Sequence, residues 1–212
     1  MASWNDRTVT NEHILPYVDS KTAPPEVAAA LNTLPFERNV FKLLANAPIF
    51  FPTFMKLLSL CWHADRELRA TDWQIIVLRT AATLDAPYEW DVNAPVAKVL
   101  GFSEQQFDAL RNRSQPVPAE LFTKRQVLLT RFVDEINSPG ATRVSEPLMQ
   151  ELKSVFGDTA VAEMFFTHSV YAFLARYMNS AKIDFDPPIP GLEDMLRKFN
   201  AAAIEKEKTF TD

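Results

Sequence analysis

The sequence contains a single cysteine, Cys61, among its 212 residues. One thiol excludes an intramolecular disulfide, and a two-thiol redox cycle cannot run within one chain. The three histidines, His13, His63 and His168, lie far apart, so neither an H-E-x-x-H motif nor a Cys/His zinc pattern is present. We therefore expect neither a metal site nor a cofactor.

Glycine and positive charge are also scarce. Four glycines stand against fifteen prolines, a balance that disfavours a turn-rich β protein and suits short helices with sharp ends. The net charge of −5 gives no basic surface for nucleic acid. The N-terminal residues lack the basic and apolar regions of a signal peptide, and no apolar run is long enough to span a bilayer. These absences predict a cytoplasmic protein with neither a nucleic-acid nor a membrane partner.

What the sequence does have is helical periodicity along almost its whole length. No segment alternates apolar and polar residues with the period of a strand, so the predicted fold class is all-α, a compact multi-helix bundle. We expect an N-terminal extension over residues 1–24, a helical domain over 25–190, and one C-terminal helix with a charged tail over 191–212. A helical domain of this length can bury a substantial core.

Two helix starts match the capping box, in which a hydroxyl and a glutamine three residues later each bond the other's backbone N–H group. The pairs are Thr71 with Gln74, and Ser103 with Gln106. A box at Thr71 would account for Gln74 without any functional role.

Proline and glycine mark further helix ends. Pro87 suits the first turn of a helix that Gly101 ends, and Gly157 ends another helix further along the chain. The apolar segment 47–65 predicts a helix that is buried on most sides. The apolar segment 158–183 predicts a long central helix.

The helix from Pro87 to Gly101 carries polar groups inside its apolar stripe. With 3.6 residues per turn, Glu89 and Asn93 share a face with the aliphatic residues Val92, Val96, Ala97 and Leu100. A carboxylate buried without partners usually takes up a proton, so Glu89 on this face should have a raised pKa, as proton transfer near neutrality needs. The alternative is a Glu89 in the first turn that the helix dipole favours and that reaches solvent at the helix end.

Three further side chains have both a functional and a structural interpretation. Gln74 shares a face with apolar residues of its helix, although the capping box also explains it. His168 lies among apolar residues of the long helix, where a lone histidine is usually a hydrogen-bonded core residue. Arg79 stands in an apolar run and needs a carboxylate partner, for which a neighbouring subunit is one source.

Residues 68–110, LRATDWQIIVLRTAATLDAPYEWDVNAPVAKVLGFSEQQFDAL, resemble the carboxymuconolactone decarboxylase / alkyl hydroperoxidase D-like superfamily. The family signature is a helix of the type R-x-x-E-L-x-x-L-R-x-A, then Y-E-W-x-x-H, then A-x-x-x-G-[LFV]-[ST]-x-x-[EQ]. A weaker resemblance extends over roughly residues 25–190. It implies an all-α fold and assembly into a dimer, trimer or hexamer whose sites lie near subunit contacts.

The resemblance also places the family's reactive groups on this chain. The peroxidase branch has two cysteines and a histidine where this chain has Ala86, Glu89 and Asn93, and a glutamate where it has Gln74. No dithiol peroxidase activity is therefore expected. The branch without cysteines keeps the Y-E-W found here at residues 88–90, and normally a histidine at the position of Asn93.

Together with the inward Glu89, the resemblance implies a cofactor-free lyase or isomerase acting on a small organic acid, lactone or polyketide-type metabolite. Glu89 would be the general acid and base, and the amides of Asn93 and Gln74 would orient the substrate and stabilise oxyanion charge. The residues expected to contact the substrate are Tyr88, Trp90, Trp73 and His168. The alternative is a catalytically degenerate member that acts as a ligand-binding or assembly protein. A redox role for Cys61 alone is disfavoured, because Cys61 lies outside the motif.

Overall fold

The computed structural model describes residues 7–34, 36–63 and 65–210, without the side chain of Trp62. Within these residues every regular element is helical, which confirms the all-α prediction. The chain divides into two compact units, one of residues 1–64 and 177–190, the other of residues 65–176 and 191–212. The predicted division at residues 24 and 190 stays a prediction.

The first unit is built from short helices and a bound N-terminal segment. Its elements are α1 (Pro25–Leu31), α2 (Asn39–Leu44), α3 (Phe51–Ser59) and a 3₁₀ turn (Leu60–Trp62). Helix α1 packs on α3. The N-terminal segment is held by the buried carboxylate of Asp184, which accepts hydrogen bonds from the backbone N–H groups of Thr10 at 2.9 Å and Asn11 at 3.1 Å.

Helix α3 is less buried than its sequence predicts. The buried residues of this helix are Phe51 and Met55. Leu57 is exposed, as is Leu60 in the 3₁₀ turn that follows. The prediction of a helix buried on most sides over 47–65 is therefore wrong, because apolar residues occupy two faces of α3 and one of them is solvent-exposed.

In the second unit the other helices pack around one central helix. Its elements are α4 (Ala70–Thr83), α5 (Pro87–Val99), α6 (Glu104–Arg111), α7 (Lys124–Ile136), α8 (Glu146–Ala181, of which 177–181 belong to the first unit), α9 (Leu192–Phe199) and α10 (Ala201–Glu207). Helix α4 packs against α5, α6, α7 and α10, and every residue from Trp73 to Ala82 is buried. A helix that is buried on all sides is one that the core surrounds.

Gly157 and Gly101 end helices at the positions that the sequence predicts. Gly157 has φ 81° and ψ 170°, a conformation open essentially to glycine alone, and it breaks α8 into two successive helices. Gly101 follows the end of α5 with φ 99°, and its N–H group donates to the carbonyl of Lys98. Both helix ends are confirmed, as is the long helix after Gly157, whereas its central position stays a prediction.

Helices α6 and α7 each begin with a complete capping box. The box of Ser103 and Gln106 at the start of α6 is confirmed. An equivalent box of Thr123 and Gln126 starts α7, and it was not anticipated. In each box the glutamine side-chain oxygen accepts from the N-cap backbone N–H group, and Nε2 of Gln106 also donates to the carbonyl of Leu121.

The C-terminal segment contains two helices where the sequence predicted one. Helices α9 and α10 meet at Asn200, which is buried and whose side-chain amide donates to the carbonyl of Leu196 at 2.8 Å. Helix α9 packs on α5, and α10 packs on α4. The tail therefore folds back on the unit, and the prediction of a single helix with a frayed end is wrong.

Arg79 finds its carboxylate within the chain. Its Nε and Nη2 atoms donate to the two carboxylate oxygens of Asp134 on α7, at 2.6 and 2.9 Å. Its Nη1 atom donates to the backbone carbonyls of Leu110 and Asn112. The carboxylate that pairs with Arg79 therefore comes from the same chain. The sequence had left open a partner from a neighbouring subunit.

Candidate functional site

The turn between α4 and α5 sets the start of the helix that carries Glu89. Asp85 adopts φ 53°, a left-handed conformation, and the N–H group of Ala86 donates to the carbonyl of Ala81 at 2.8 Å. Pro87 then occupies the first turn of α5, as predicted. This tight reversal brings α5 back along α4, and the two helices pack directly against each other.

Glu89 lies inside the protein, at the first turn of α5. Its side chain is 1% exposed, and neither carboxyl oxygen has a hydrogen-bond partner among the described residues. Burial without compensation raises the pKa of Glu89 well above its ordinary value. The prediction of an inward carboxyl is confirmed, and the alternative of a solvent-exposed carboxylate at the helix end is wrong.

Asn93 lies one turn after Glu89 and is also buried. Its Nδ2 atom donates to the backbone carbonyl of Glu89 at 2.9 Å. The amide therefore bonds its own helix and gives no hydrogen bond to the Glu89 carboxyl. One of the two hydrogens on Nδ2 is left for another acceptor.

Gln74 has no role in capping α4, contrary to the prediction. The helix begins at Ala70 with Arg69 as its N-cap residue, and the hydroxyl of Thr71 donates to the carboxylate of Glu207 on α10 at 2.8 Å. Gln74 is 0% exposed, and both polar atoms of its amide lack hydrogen-bond partners among the described residues. The structural explanation for Gln74 is therefore removed, and its amide is as unusual in the core as the carboxyl of Glu89.

Glu89 on α5 and Gln74 on α4 are buried polar groups without hydrogen-bond partners among the described residues, and their two helices pack against each other. Leaving such groups unpaired in a core costs about 1 to 3 kcal/mol each, so most proteins avoid it. Both groups have donor and acceptor atoms once Glu89 is protonated. Each group can therefore form hydrogen bonds with a polar, uncharged part of a ligand, and the Glu89 carboxyl can exchange a proton with it. Among the described residues no group of histidine, cysteine or carboxylate side chains could hold a metal ion.

Thr80, which lies on α4 like Gln74, is a further unpaired polar group that the sequence reasoning missed. Its hydroxyl is buried and has no hydrogen-bond partner among the described residues. Six residues separate it from Gln74, which places it about 120° away around the helix. The sequence does contain a hydroxyl residue, Thr80, within the apolar run that follows Gln74. Helical periodicity, however, places Thr80 on a different face of α4 from Gln74.

The aromatic residues predicted to contact a substrate are all buried. Trp90 packs edge-on against Phe107 of α6 with 6.2 Å between ring centroids. Trp73 lies 6.0 Å from the ring of Tyr171 on α8. Tyr88, like the two tryptophans, is a buried residue of the second unit. The observed ring–ring contacts of Trp73 and Trp90 are with neighbouring helices, and the role of all three residues toward a ligand stays a prediction.

His168 is tied into a chain of hydrogen bonds between helices. Its Nε2 atom lies 2.9 Å from Oδ1 of Asn137, whose Nδ2 atom donates to the hydroxyl of Thr83 at 2.9 Å. Burial, with the positive charge of Arg176, lowers the pKa of His168 from 6.5 to about 4. This geometry matches the interpretation as a hydrogen-bonded core histidine, which is neutral at pH 7.

Compared with models of known protein families and with curated proteins, the sequence matches none of them. No helix among the described residues is long and apolar enough to cross a membrane. Cys61 has intermediate exposure and belongs to the first unit, whereas Glu89 and Gln74 belong to the second.

Proposed function

We propose that the protein is a cofactor-independent lyase or isomerase in which Glu89 moves protons on a small organic acid, lactone or polyketide-type substrate. The observation that carries the proposal is the buried, unpartnered carboxyl of Glu89 with its raised pKa. A proton-transferring carboxyl works near neutral pH when its environment raises its pKa in this way. Perturbed carboxyls also occur in structural networks, but Glu89 belongs to no hydrogen-bond network of the described residues.

The buried amides complement this chemistry. In its ionised form Glu89 would take the proton from a carbon next to a substrate carbonyl, and the resulting enolate oxygen would accept hydrogen bonds from the amide of Gln74. The second hydrogen on Nδ2 of Asn93 offers a further donor. Return of the proton to a different carbon would complete an isomerisation, and loss of a hydroxyl group from the β-carbon, leaving as water with one proton, would complete a dehydration. In a decarboxylation the order is reversed: loss of CO₂ would form the enolate, and protonated Glu89 would then deliver a proton to its carbon.

We also propose that the chain belongs to the carboxymuconolactone decarboxylase / alkyl hydroperoxidase D-like superfamily and forms a homo-oligomer. The support is the all-α fold, with the Y-E-W sequence at the start of a helix that follows a tight reversal. Gly101 ends that helix and Ser103 caps the next one, as the motif resemblance implies. The loss of the family's histidine at Asn93 and glutamate at Gln74 leaves Glu89 as the titratable group of the motif.

A second function is favoured by one observation. Glu89 and Gln74 are sealed from solvent, and Trp73 and Trp90 pack against residues of their own unit. A degenerate family member that has lost turnover and binds a ligand or assembles with other chains would tolerate such a closed core. The two functions differ in whether Glu89 is needed for a chemical change in a bound compound.

The deciding experiment offers the protein a panel of β-keto acids, unsaturated lactones and 2-hydroxy acids in D₂O. Proton NMR then follows deuterium incorporation, loss of CO₂ and loss of water. We expect wild type to convert at least one compound, and Glu89→Gln to convert it roughly 100-fold to 10,000-fold more slowly while remaining folded. The matched control is Glu120→Gln, a change of the same kind at an exposed glutamate. Equal rates in wild type and Glu89→Gln would overturn the proposal, and binding of a panel compound without conversion supports the second function.

A further inference from the structure

The C-terminal segment contacts both helices that carry the candidate site. Residues 191–210, which we name the C-terminal strap, comprise α9 and α10. Helix α9 packs on α5, where Lys98 Nζ lies 3.6 Å from Glu193 Oε2. Helix α10 packs on α4. One short segment thus bridges the helix of Glu89 and the helix of Gln74.

The end of the strap supplies the cap that α4 lacks. A carboxylate oxygen of Glu207 accepts hydrogen bonds from the backbone N–H groups of Ala70 at 2.7 Å and Thr71 at 3.3 Å, and the other accepts from the Thr71 hydroxyl at 2.8 Å. The N-cap residue, Arg69, has no acceptor in its side chain; its guanidinium instead lies 4.2 Å from the ring of Phe210. Because the first N–H groups of a helix have no partner within it and carry positive partial charge, a carboxylate stabilises this end.

The two halves of the strap are held differently. Helix α9 buries Leu196, and Asn200 at its end is also buried. Helix α10 contains no buried residue, all of its residues lying within the described chain. Detaching α10 would therefore expose little apolar surface, whereas detaching α9 would expose a core residue. Asn200, the cap residue shared by both helices, is the point about which α10 can swing.

Release of Glu207 would act directly on Gln74. In an α-helix the N–H group of residue 74 bonds the carbonyl of residue 70, so Gln74 closes the turn that Glu207 caps. Without the cap this turn loses the acceptor of its first N–H groups, and the ion pair of Asp72 with Arg125 at 2.8 Å is then a side-chain contact that holds it. Gln74 is fully buried while the turn is wound.

We propose that α10 is a lid on the α4–α5 site, closed by the carboxylate of Glu207 and opened by its release. The need for such a lid rests on the proposed function, because a substrate must reach Glu89 and Gln74, which are 1% and 0% exposed in the closed form. Opening unwinds the first turn of α4 and gives access to the Gln74 amide. Closing restores the cap and excludes water from the site.

Hydrogen exchange followed by mass spectrometry tests the lid without any substrate. In Glu207→Ala we expect the peptide containing Ala70–Gln74 to exchange roughly tenfold faster than in wild type. The matched control is Glu205→Ala, which removes a carboxylate of α10 whose observed ion pair is with Lys208. In Glu205→Ala the Ala70–Gln74 peptide should exchange at the wild-type rate. Peptides of α7 should exchange equally in wild type, Glu207→Ala and Glu205→Ala. Equal exchange of the α4 peptide in wild type and Glu207→Ala would overturn the lid.

A second variant guards against general unfolding. Faster exchange of α7 in Glu207→Ala would indicate general unfolding. In that case Glu207→Gln is measured instead, because it keeps one acceptor oxygen and loses the charge. We expect its α4 peptide to exchange faster than wild type while α7 stays protected. Unchanged exchange of α4 in this variant would contradict the proposal.

Access to the site is measured separately with a thiol at position 74. In a Cys61→Ser, Gln74→Cys background, iodoacetamide should label the new thiol roughly tenfold faster when Glu207→Ala is added. Labelling rates that do not depend on Glu207 would show fraying without access and would overturn the lid. Neither readout depends on turnover, so the lid can fail while Glu89 remains essential for turnover. Glu89 can equally prove unnecessary for turnover while both lid results stand.

Discussion

The side-chain amide of Asn93 donates its hydrogen bond to the backbone carbonyl of Glu89, not to the Glu89 carboxyl. The carboxyl is therefore buried without compensation, although an amide donor lies one helical turn away. Burial is the cause of its raised pKa. Asn93 therefore makes a contact within its own helix and leaves the acid isolated.

The raised pKa of Glu89 predicts that stability falls as pH rises. The folded protein keeps the Glu89 proton above pH 4.5, the ordinary value at which the unfolded chain loses it. The stabilisation that comes from this proton is thus complete below pH 4.5 and is lost as pH rises through the folded pKa, by up to about 1.4 kcal/mol per pH unit. Urea unfolding of wild type and Glu89→Gln from pH 4 to 8 measures the difference.

We expect Glu89→Gln to gain stability relative to wild type as pH rises over this range. Glu120→Gln, at an exposed position, should show no such trend. A constant difference between Glu89→Gln and wild type across the range contradicts the raised pKa.

The lowered pKa of His168 predicts the opposite effect from Glu89: at acidic pH the free energy of unfolding falls as pH falls. Its folded pKa of about 4 lies below its ordinary value of 6.5, so the unfolded chain binds a proton more readily. The stability due to neutral His168 is present above pH 6.5 and is lost as pH falls toward 4, by about 1 to 3 kcal/mol in all. His168→Gln, which keeps a donor for Asn137, should lose this dependence in urea unfolding at pH 4.5 and 7. His63→Gln is the control, and an unchanged slope in His168→Gln rejects the assignment.

Much of the fold followed from periodicity and end signals. The all-α class, the start of α5 at Pro87 and the break at Gly157 depend on residues close together in the chain, and all three were confirmed. The capping box at Thr71 failed for a physical reason. A carboxylate 136 residues away, on Glu207, competes for the Thr71 hydroxyl, and local sequence carries no signal for that partner.

The candidate site was predictable in part. Helical spacing alone placed Glu89 inward, because a 3.6-residue period assigns it to the apolar face. The hydrogen bond of Asn93 to the Glu89 backbone depends on a side-chain rotamer, and that of His168 to Asn137 depends on how α7 meets α8. Neither packing nor rotamers can be read from spacing, so these partners had to come from the structure.

The ion pair of Arg79 and Asp134 predicts that replacing Arg79 lowers the free energy of unfolding more than replacing Asp134 does. Arg79 is 1% exposed and Asp134 is 35% exposed. Arg79→Met leaves backbone carbonyls of Leu110 and Asn112 without their donor, so we expect a loss of about 3 to 5 kcal/mol. Asp134→Asn keeps the carbonyl contacts of Arg79 and should cost about 1 to 2 kcal/mol.

Urea unfolding of both variants at pH 7 measures the asymmetry. Arg131→Met, which breaks an exposed pair with Glu151, is the control and should cost less than about 1 kcal/mol. Similar losses for Arg79→Met and Asp134→Asn would show that the ion pair alone, without the carbonyl contacts, sets the contribution of Arg79.

Replacing Asn93 by histidine should reverse the perturbation of Glu89. An imidazole one turn after Glu89 can donate to the carboxylate and stabilises its charged form, which lowers the pKa of Glu89 relative to wild type. Carbon-13 NMR of the Glu89 carboxyl, assigned by its absence in Glu89→Gln, gives the titration midpoint directly. Asn93→Leu is the matched control, because it removes the amide without adding a donor and should leave the Glu89 pKa raised. Identical midpoints in wild type, Asn93→His and Asn93→Leu would mean that position 93 has no electrostatic contact with the Glu89 carboxyl.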